Sequence, residues 1–395
     1  MAAIQVYASF PCVMAPGADL NLHAGNWYWV HCLTFPLETL NELRISPRPY
    51  KWIRYAMGVV VGAEGELSSS SDQLTVLDYT ACLPAESHNL YYHTSDAEKR
   101  RMFPVDPKMA RTGVTSSAAT ARRNNFRTDT AHRDGDRCVL SGTRAMSCDA
   151  VHLLAHSKGD SYIATYTERR NRDPTGADVI QDIDSVRNGL FLNKVTHSVL
   201  GTDVAFIPTP NFAMDTSDID LTAQPGEIRY TAHLFELSDP SALNGVTPGS
   251  SLQMANTPDW PPSILFDAVY ATTIVHHFGS PELKDVVAKT WKDTFYPDGV
   301  MSQAQADQKA TGDARTTAMK KTGTQVQERQ ERHDTRTSPD GLDLLLALPY
   351  ILVPPNEVQA ISREAAEKAE EAEAVEQMRN REKVIAWNRQ VIASW

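Results

Sequence analysis

The chain has 395 residues, with 38 Lys and Arg against 49 Asp and Glu, a formal net charge of −11. That length holds two or three domains at roughly 100–200 residues each, and a chain this acidic does not coat nucleic acid through bulk charge, although phosphate contacts made patch by patch stay open to it. No apolar run reaches the ~20 residues that a bilayer crossing needs, so no membrane partner is expected.

The first residues, Met1 to Val13, carry no basic stretch of the kind that opens a secretory signal. Cysteines stand at 12, 32, 82, 138 and 148, an odd number with no CxxC pair. This argues against a disulfide scaffold and for a reducing compartment. An intracellular protein of the cytoplasm or nucleus is the expectation.

Residues 1–95 read as a β-rich N-terminal domain. Asn26–Leu33, Met57–Val61 and Leu74–Tyr79 are rich in Val, Trp, Tyr and Thr, with Pro, Gly, Asn and Ser between them. The aromatics Trp27, Tyr28 and Trp29 fit strand packing better than ligand binding. Glu98 to Met102 predicts a short helix stopped near Pro104, and Ser116 to Arg133 predicts a helix ended by Asp134-Gly135. Between Asp96 and Arg137 lie ten Lys and Arg and six Asp and Glu. This local excess is opposite in sign to the whole chain and reads first as a solvated helix face.

Beyond the central region, Glu227–Leu237 predicts a strand and Pro262–His277 a helix with Ile264, Leu265, Ala268, Ala271 and Val275 on one face. A further helix runs from Pro281 to about Trp291. Adjacent helical residues point to different faces, so His276-His277 reads as a helix end rather than a chelating pair. Residues 298–340 form a polar linker with almost no large apolar side chains, for which disorder is expected. Residues 341–395 combine an apolar segment with an Ala/Glu-rich helix, whose apolar end (Val384, Ile385, Trp387) suits docking on the body of the chain or on a protein partner.

The informative stretch opens with Arg133-Asp134-Gly135-Asp136-Arg137-Cys138 and Ser141-Gly142. It passes through Cys148-Asp149-Ala150-Val151-His152-Leu153 and an insertion reaching Ser185, then closes with Asn188-Gly189-Leu190-Phe191-Leu192, Thr196-His197 and Val204–Pro208. This pattern resembles the HNH nucleases of the ββα-metal superfamily, in a branch found in fungal multidomain proteins. The resemblance covers about a fifth of the chain and implies an HNH-like ββα core within residues 116–245; the two helices read above make 246–297 a helical extension. It also implies a divalent metal ion, Mg²⁺ or Mn²⁺ foremost with Zn²⁺ as a further option, and a nucleic-acid partner, DNA first.

Phosphodiester hydrolysis needs a base for water and a cation for the charge at phosphorus. Carried over by position, the resemblance makes His152 the base on a hairpin strand, Asn188 the orienting residue and His197 a metal ligand on a helix packed across that strand. His152 and His197 are thereby expected to reach one phosphate. The chain departs from the family twice: Val151 stands where Asp or His often precedes the base, and Gly201 stands one turn after His197. Asp203 is taken as the substitute ligand, with Asp149 and Asp160 as others.

Cys138, Cys148, His152 and His156 also follow C-x9-C-x3-H-x3-H, a rival structural-zinc reading whose first gap is wider than zinc sites use. The two cysteines otherwise read as buried structural residues. The fold class expected is α+β: the β-rich N-terminal domain, the HNH-like core and C-terminal helices. The function expected is a metal-dependent endonuclease. The alternative is a catalytically inactive HNH-derived module that binds nucleic acid or protein.

Overall fold

The computed structural model describes residues 2–15, 17–107, 109, 125–236 and 247–295. The polar linker, the C-terminal helix and the first part of the helix expected over 116–133 lie outside the described residues. The described residues all fall within one compact unit. The fold is α+β, as expected.

Strand β1 (Ala3–Pro11) alternates buried and half-exposed positions, so Ile4, Val6, Ala8 and Phe10 face the core. It pairs antiparallel with β2 (Trp27–Pro36) on one edge. On its other edge it runs parallel to β4 (His88–Thr94), which pairs antiparallel with β3 (Gly65–Ser68). The sheet order is β2-β1-β4-β3. Two helices, α1 (Leu37–Leu43) and α2 (Pro49–Val61), connect β2 to β3.

Two of the expected strands are corrected here. Met57–Val61 is the C-terminal part of α2, which starts with Pro49 in its first turn and stops at Gly62 in the left-handed conformation, φ 76°. A short run of buried β-branched residues looks the same in a strand and in a helix apolar on most sides. Leu74–Tyr79 forms no strand, only a single bridge from Val76 to Ser68.

The next elements are α3 (Asp96–Arg101), α4 (Phe126–Arg133) and an antiparallel ribbon of β5 (Cys148–His152) with β6 (Gly189–Asn193). Helix α5 (Asp160–Arg170) lies in the insertion between those strands, and α6 (Lys194–Val199) follows the second. A second ribbon, β7 (Val204–Thr209) with β8 (Arg229–Leu234), precedes α7 (Ser263–Phe278) and α8 (Pro281–Thr290). Among the described residues no helix is long and apolar enough to cross a membrane.

Helix α7 is buried on nearly every side and packs against both α2 and β7. At its centre Trp52 Nε1 donates to the Tyr270 hydroxyl at 2.6 Å, and that hydroxyl meets His233 Nδ1, also at 2.6 Å. One turn earlier, the Tyr55 hydroxyl donates to Asp267 at 2.5 Å. Burial keeps His233 neutral, with its pKa held down at about 3, and pushes the Asp267 carboxyl up to about 6.

Replacing Tyr270 with Phe keeps the ring but strands Trp52 Nε1 and His233 Nδ1. The expected loss is about 1–3 kcal/mol for buried polar groups left unsatisfied. Urea denaturation of the variant measures it, and an unchanged midpoint contradicts the network's contribution.

Asp267 supplies a pH signature. Its folded pKa of about 6 lies above the ~3.9 of an unfolded Asp, so the protonated form favours the folded state. That contribution is present below about pH 4 and is lost as pH rises through 6. Asp267→Asn is therefore expected to melt above wild type at pH 7.5, with the gap closing toward pH 4. Melting curves across that range test it, and a gap independent of pH contradicts the assignment.

Candidate active site

The Arg133-Asp134 dipeptide that ends α4 is an internal tie. Both side chains are buried, 5% and 0% exposed, and they pair through Arg133 Nε at 2.7 Å from Asp134 Oδ1. The remaining guanidinium N–H groups donate to the carbonyls of Val186, Gly189 and Asp259, and the Phe191 N–H donates to Asp134 at 2.8 Å. The guanidinium also lies over Trp260, 5.1 Å from the ring centroid. A buried charge pair is tolerable only with its hydrogen bonds filled, and here the filling stitches α4 to β6. Gly135 and Asp136 then turn the chain with φ 71° and 57°.

Cys138 and Cys148 are both buried and free. The Cys138 sulfur receives the Ser141 N–H, and the Cys148 thiol donates to the Thr143 and Arg144 carbonyls. Cys148 opens β5 and His152 closes it, a separation of roughly 13 Å at the strand rise. Zinc ligands lie within ~2.3 Å of the metal, so the four-residue zinc reading is corrected.

His152 sits at the end of β5 opposite Gly189. Its side chain is 6% exposed, with Nε2 2.9 Å from Asp184 Oδ1. The Phe126 ring of α4 stacks on the imidazole at 3.9 Å and 8°. A Cβ at Gly189 would stand 2.8 Å from the Phe126 ring, so that glycine is required by close approach, not by a turn. His156 Nε2 lies 3.5 Å from the other Asp184 oxygen.

Asn188 is fully buried. Its amide donates to the carbonyls of Leu154 and Ile183 at 2.9 Å, and its oxygen accepts from the Leu154 N–H at 2.9 Å. These bonds hold the loop that carries Asp184 against the chain leaving β5.

His197 lies on α6, which packs on β5 and β6. It is 39% exposed, with Nδ1 3.7 Å from Asp149 Oδ2. Arg127 reaches the other Asp149 oxygen at 3.0 Å and the Cys148 carbonyl at 2.8 Å. Each imidazole is thus drawn to a different carboxylate. Asp149 and His152 are three residues apart on one strand, so their side chains leave opposite faces of it. Asp203, expected beside His197, turns its carboxylate to His277 of α7, with 3.5 Å between Oδ1 and Nε2.

The Asp149–His197 pair offers one carboxylate oxygen and one imidazole nitrogen close together at the surface. Ions of the Mg²⁺ class keep several waters and take one or two protein ligands besides substrate phosphate. The pair fits such an ion; it does not make a closed four-ligand site.

Residues 138–202 match the family model described as HNH endonuclease. The chain carries an HNH nuclease domain. No curated protein and no solved structure matches the chain. The family implies nuclease-type chemistry on nucleic acid with a divalent metal ion.

Sequence reasoning missed Asp184 and Arg127 in this HNH domain. Asp184 ends a long insertion and reaches His152 only through loop closure, so no local spacing marks it. Arg127 precedes the matched segment and carried no signal beyond the basic excess around it.

Arg133→Ala leaves Asp134 buried without its charge partner. Breaking such a pair costs about 3–5 kcal/mol. Chemical denaturation is expected to show a loss of that order, and a loss below 1 kcal/mol would mean that the dipeptide does not hold α4 to β6.

Proposed function

We propose that the HNH domain is a metal-dependent endonuclease hydrolysing nucleic-acid phosphodiester bonds, with DNA as the first substrate class. The observation that supports this reading is the half-exposed Asp149–His197 pair beside Arg127, which puts a carboxylate, an imidazole and a guanidinium at one surface. Asp149 and His197 would hold Mg²⁺ or Mn²⁺. When bound, that ion stabilises the charge that builds on the phosphoryl and leaving oxygens.

His152 is the base in this reading. With Nε2–H donated to Asp184, Nδ1 takes the acceptor role, and the carboxylate stabilises the imidazolium formed when a water proton is taken up. Asn188 is a positioning residue that keeps Asp184 in reach of His152. Five free cysteines support a reducing intracellular compartment, cytoplasm or nucleus.

A second reading is favoured by one observation: His152 is only 6% exposed and is covered by Phe126. An HNH-derived module that binds nucleic acid or protein without cutting suits that burial.

Plasmid nicking with Mg²⁺ or Mn²⁺, stopped by EDTA, separates the two. In the first reading His152→Ala loses about 10²–10⁴-fold in rate, and His197→Ala loses activity with partial rescue by raised metal. Nicking by His152→Ala at the wild-type rate removes His152 as the base. If wild type nicks nothing with any of several metals, yet Val151→Asp with Gly201→Asp gains cutting, the second reading holds.

A further inference from the structure

The end of α7 carries His276 and His277, outside the matched segment. Residues one apart on a helix diverge by about 100°, which makes two such histidines poor ligands for an ion on the helix surface. The structure places a third group off the helix end instead. One donor atom from each of Asp203, His276 and His277 lies within 4.8 Å of the others. His277 Nε2 donates to the Thr202 carbonyl at 2.9 Å and stands 3.5 Å from Asp203 Oδ1. Ligands at about 2.1 Å from a tetrahedral ion are themselves about 3.4 Å apart. The His277–Asp203 separation is already that of two occupied corners.

The backbone around these groups is fixed. The Asp203 N–H donates to the Val199 carbonyl at 3.0 Å, and the Asp203 carbonyl accepts from the Phe235 N–H at 2.8 Å. The Phe235 ring lies nearly parallel to the His277 imidazole, at 5.6 Å and 18°. His276 is exposed while His277 and Asp203 are half-buried, so an ion has a path in. The C-terminal end of a helix carries partial negative charge and favours a cation.

We propose that Asp203, His276 and His277 bind a divalent transition metal of the zinc class, at a site separate from the Asp149–His197 pair. Two imidazoles and one carboxylate select such ions over Mg²⁺ and Ca²⁺, which take oxygen. A water completes the coordination, and His277 Nε2 releases to solvent the proton it otherwise donates to the Thr202 carbonyl. Bound there, the ion pins the end of α7 to the turn after α6, tying the HNH domain to the helix behind it. This inference does not depend on nuclease activity.

The test is a calorimetric titration of Zn²⁺ into the full chain carrying His197→Ala, which silences the other pair. One equivalent is expected to bind, undisturbed by millimolar Mg²⁺, and to raise the melting temperature. Adding His276→Ala or Asp203→Asn is expected to weaken binding about tenfold or more and to abolish the thermal shift. Both side chains reach the surface and Asn preserves the shape of Asp, so the variants should stay folded by circular dichroism. Equal binding by parent and variants, or no binding once His197 is replaced, overturns the site.

Discussion

A buried helix can be surrounded by apolar side chains and still slide; a hydrogen bond at its centre fixes its register. The Tyr270 hydroxyl does this for α7, accepting from Trp52 on the N-terminal side and meeting His233 of β8 on the other. Three elements far apart in sequence are therefore indexed to one oxygen. The apolar contacts supply the larger share of the free energy, but they are non-directional, and it is polar contacts, this one and Tyr55–Asp267 a turn earlier, that say which turn of α7 faces which neighbour. His233 stays neutral because its surroundings exclude water, which keeps the contact from being broken by protonation near neutrality. The sheet and the HNH domain then share one core and compose one unit.

Much of what makes the HNH pattern recognisable is architecture. Arg133 and Asp134 satisfy each other and four backbone groups. Asn188 uses both amide hydrogens and its oxygen on the main chain. Gly189 is small because Phe126 occupies the space a Cβ needs. Each is a residue type that no other can imitate: a planar fork of donors, an amide with both polarities, a missing side chain. The groups that face solvent, Asp149, His197 and Arg127, are carried by this frame and belong to the recognised pattern only in part.

This division explains what could be read from sequence. The α+β class, β2, α7 and α8 were legible because their periodicity and end signals agree with their environment. Met57–Val61 was misread because a five-residue apolar run has no period of its own, and α2 reveals itself only through Pro49 and Gly62 at its ends. The His152–Asp184 contact joins residues 32 apart across an insertion, and His277 meets Asp203 from 74 positions away; such encounters are made by the fold. The adjacency rule for His276-His277 considers the helix alone; that Asp203 comes within reach of both imidazoles is a product of the fold that no local spacing marks.

Val151, which cannot coordinate a metal, has a geometric consequence that a residue count hides. Side chains two apart on a strand share a face, so Asp149 presents its oxygens on the face Val151 would have used, one pleat, or about 6.6 Å, nearer the start of β5. His152 stays at the strand's end. A base and an ion that serve the same phosphate must both lie within a few ångströms of it, whereas three residues of strand separate the backbone origins of Asp149 and His152 by about 10 Å. Their side chains leave opposite faces of the strand, and α4 touches both, through Arg127 on Asp149 and Phe126 on His152. The chemical identity of the groups therefore does not decide between cutting and holding a strand. What decides it is whether a backbone phosphate at Asp149 and His197 brings its attacking water under the His152 ring.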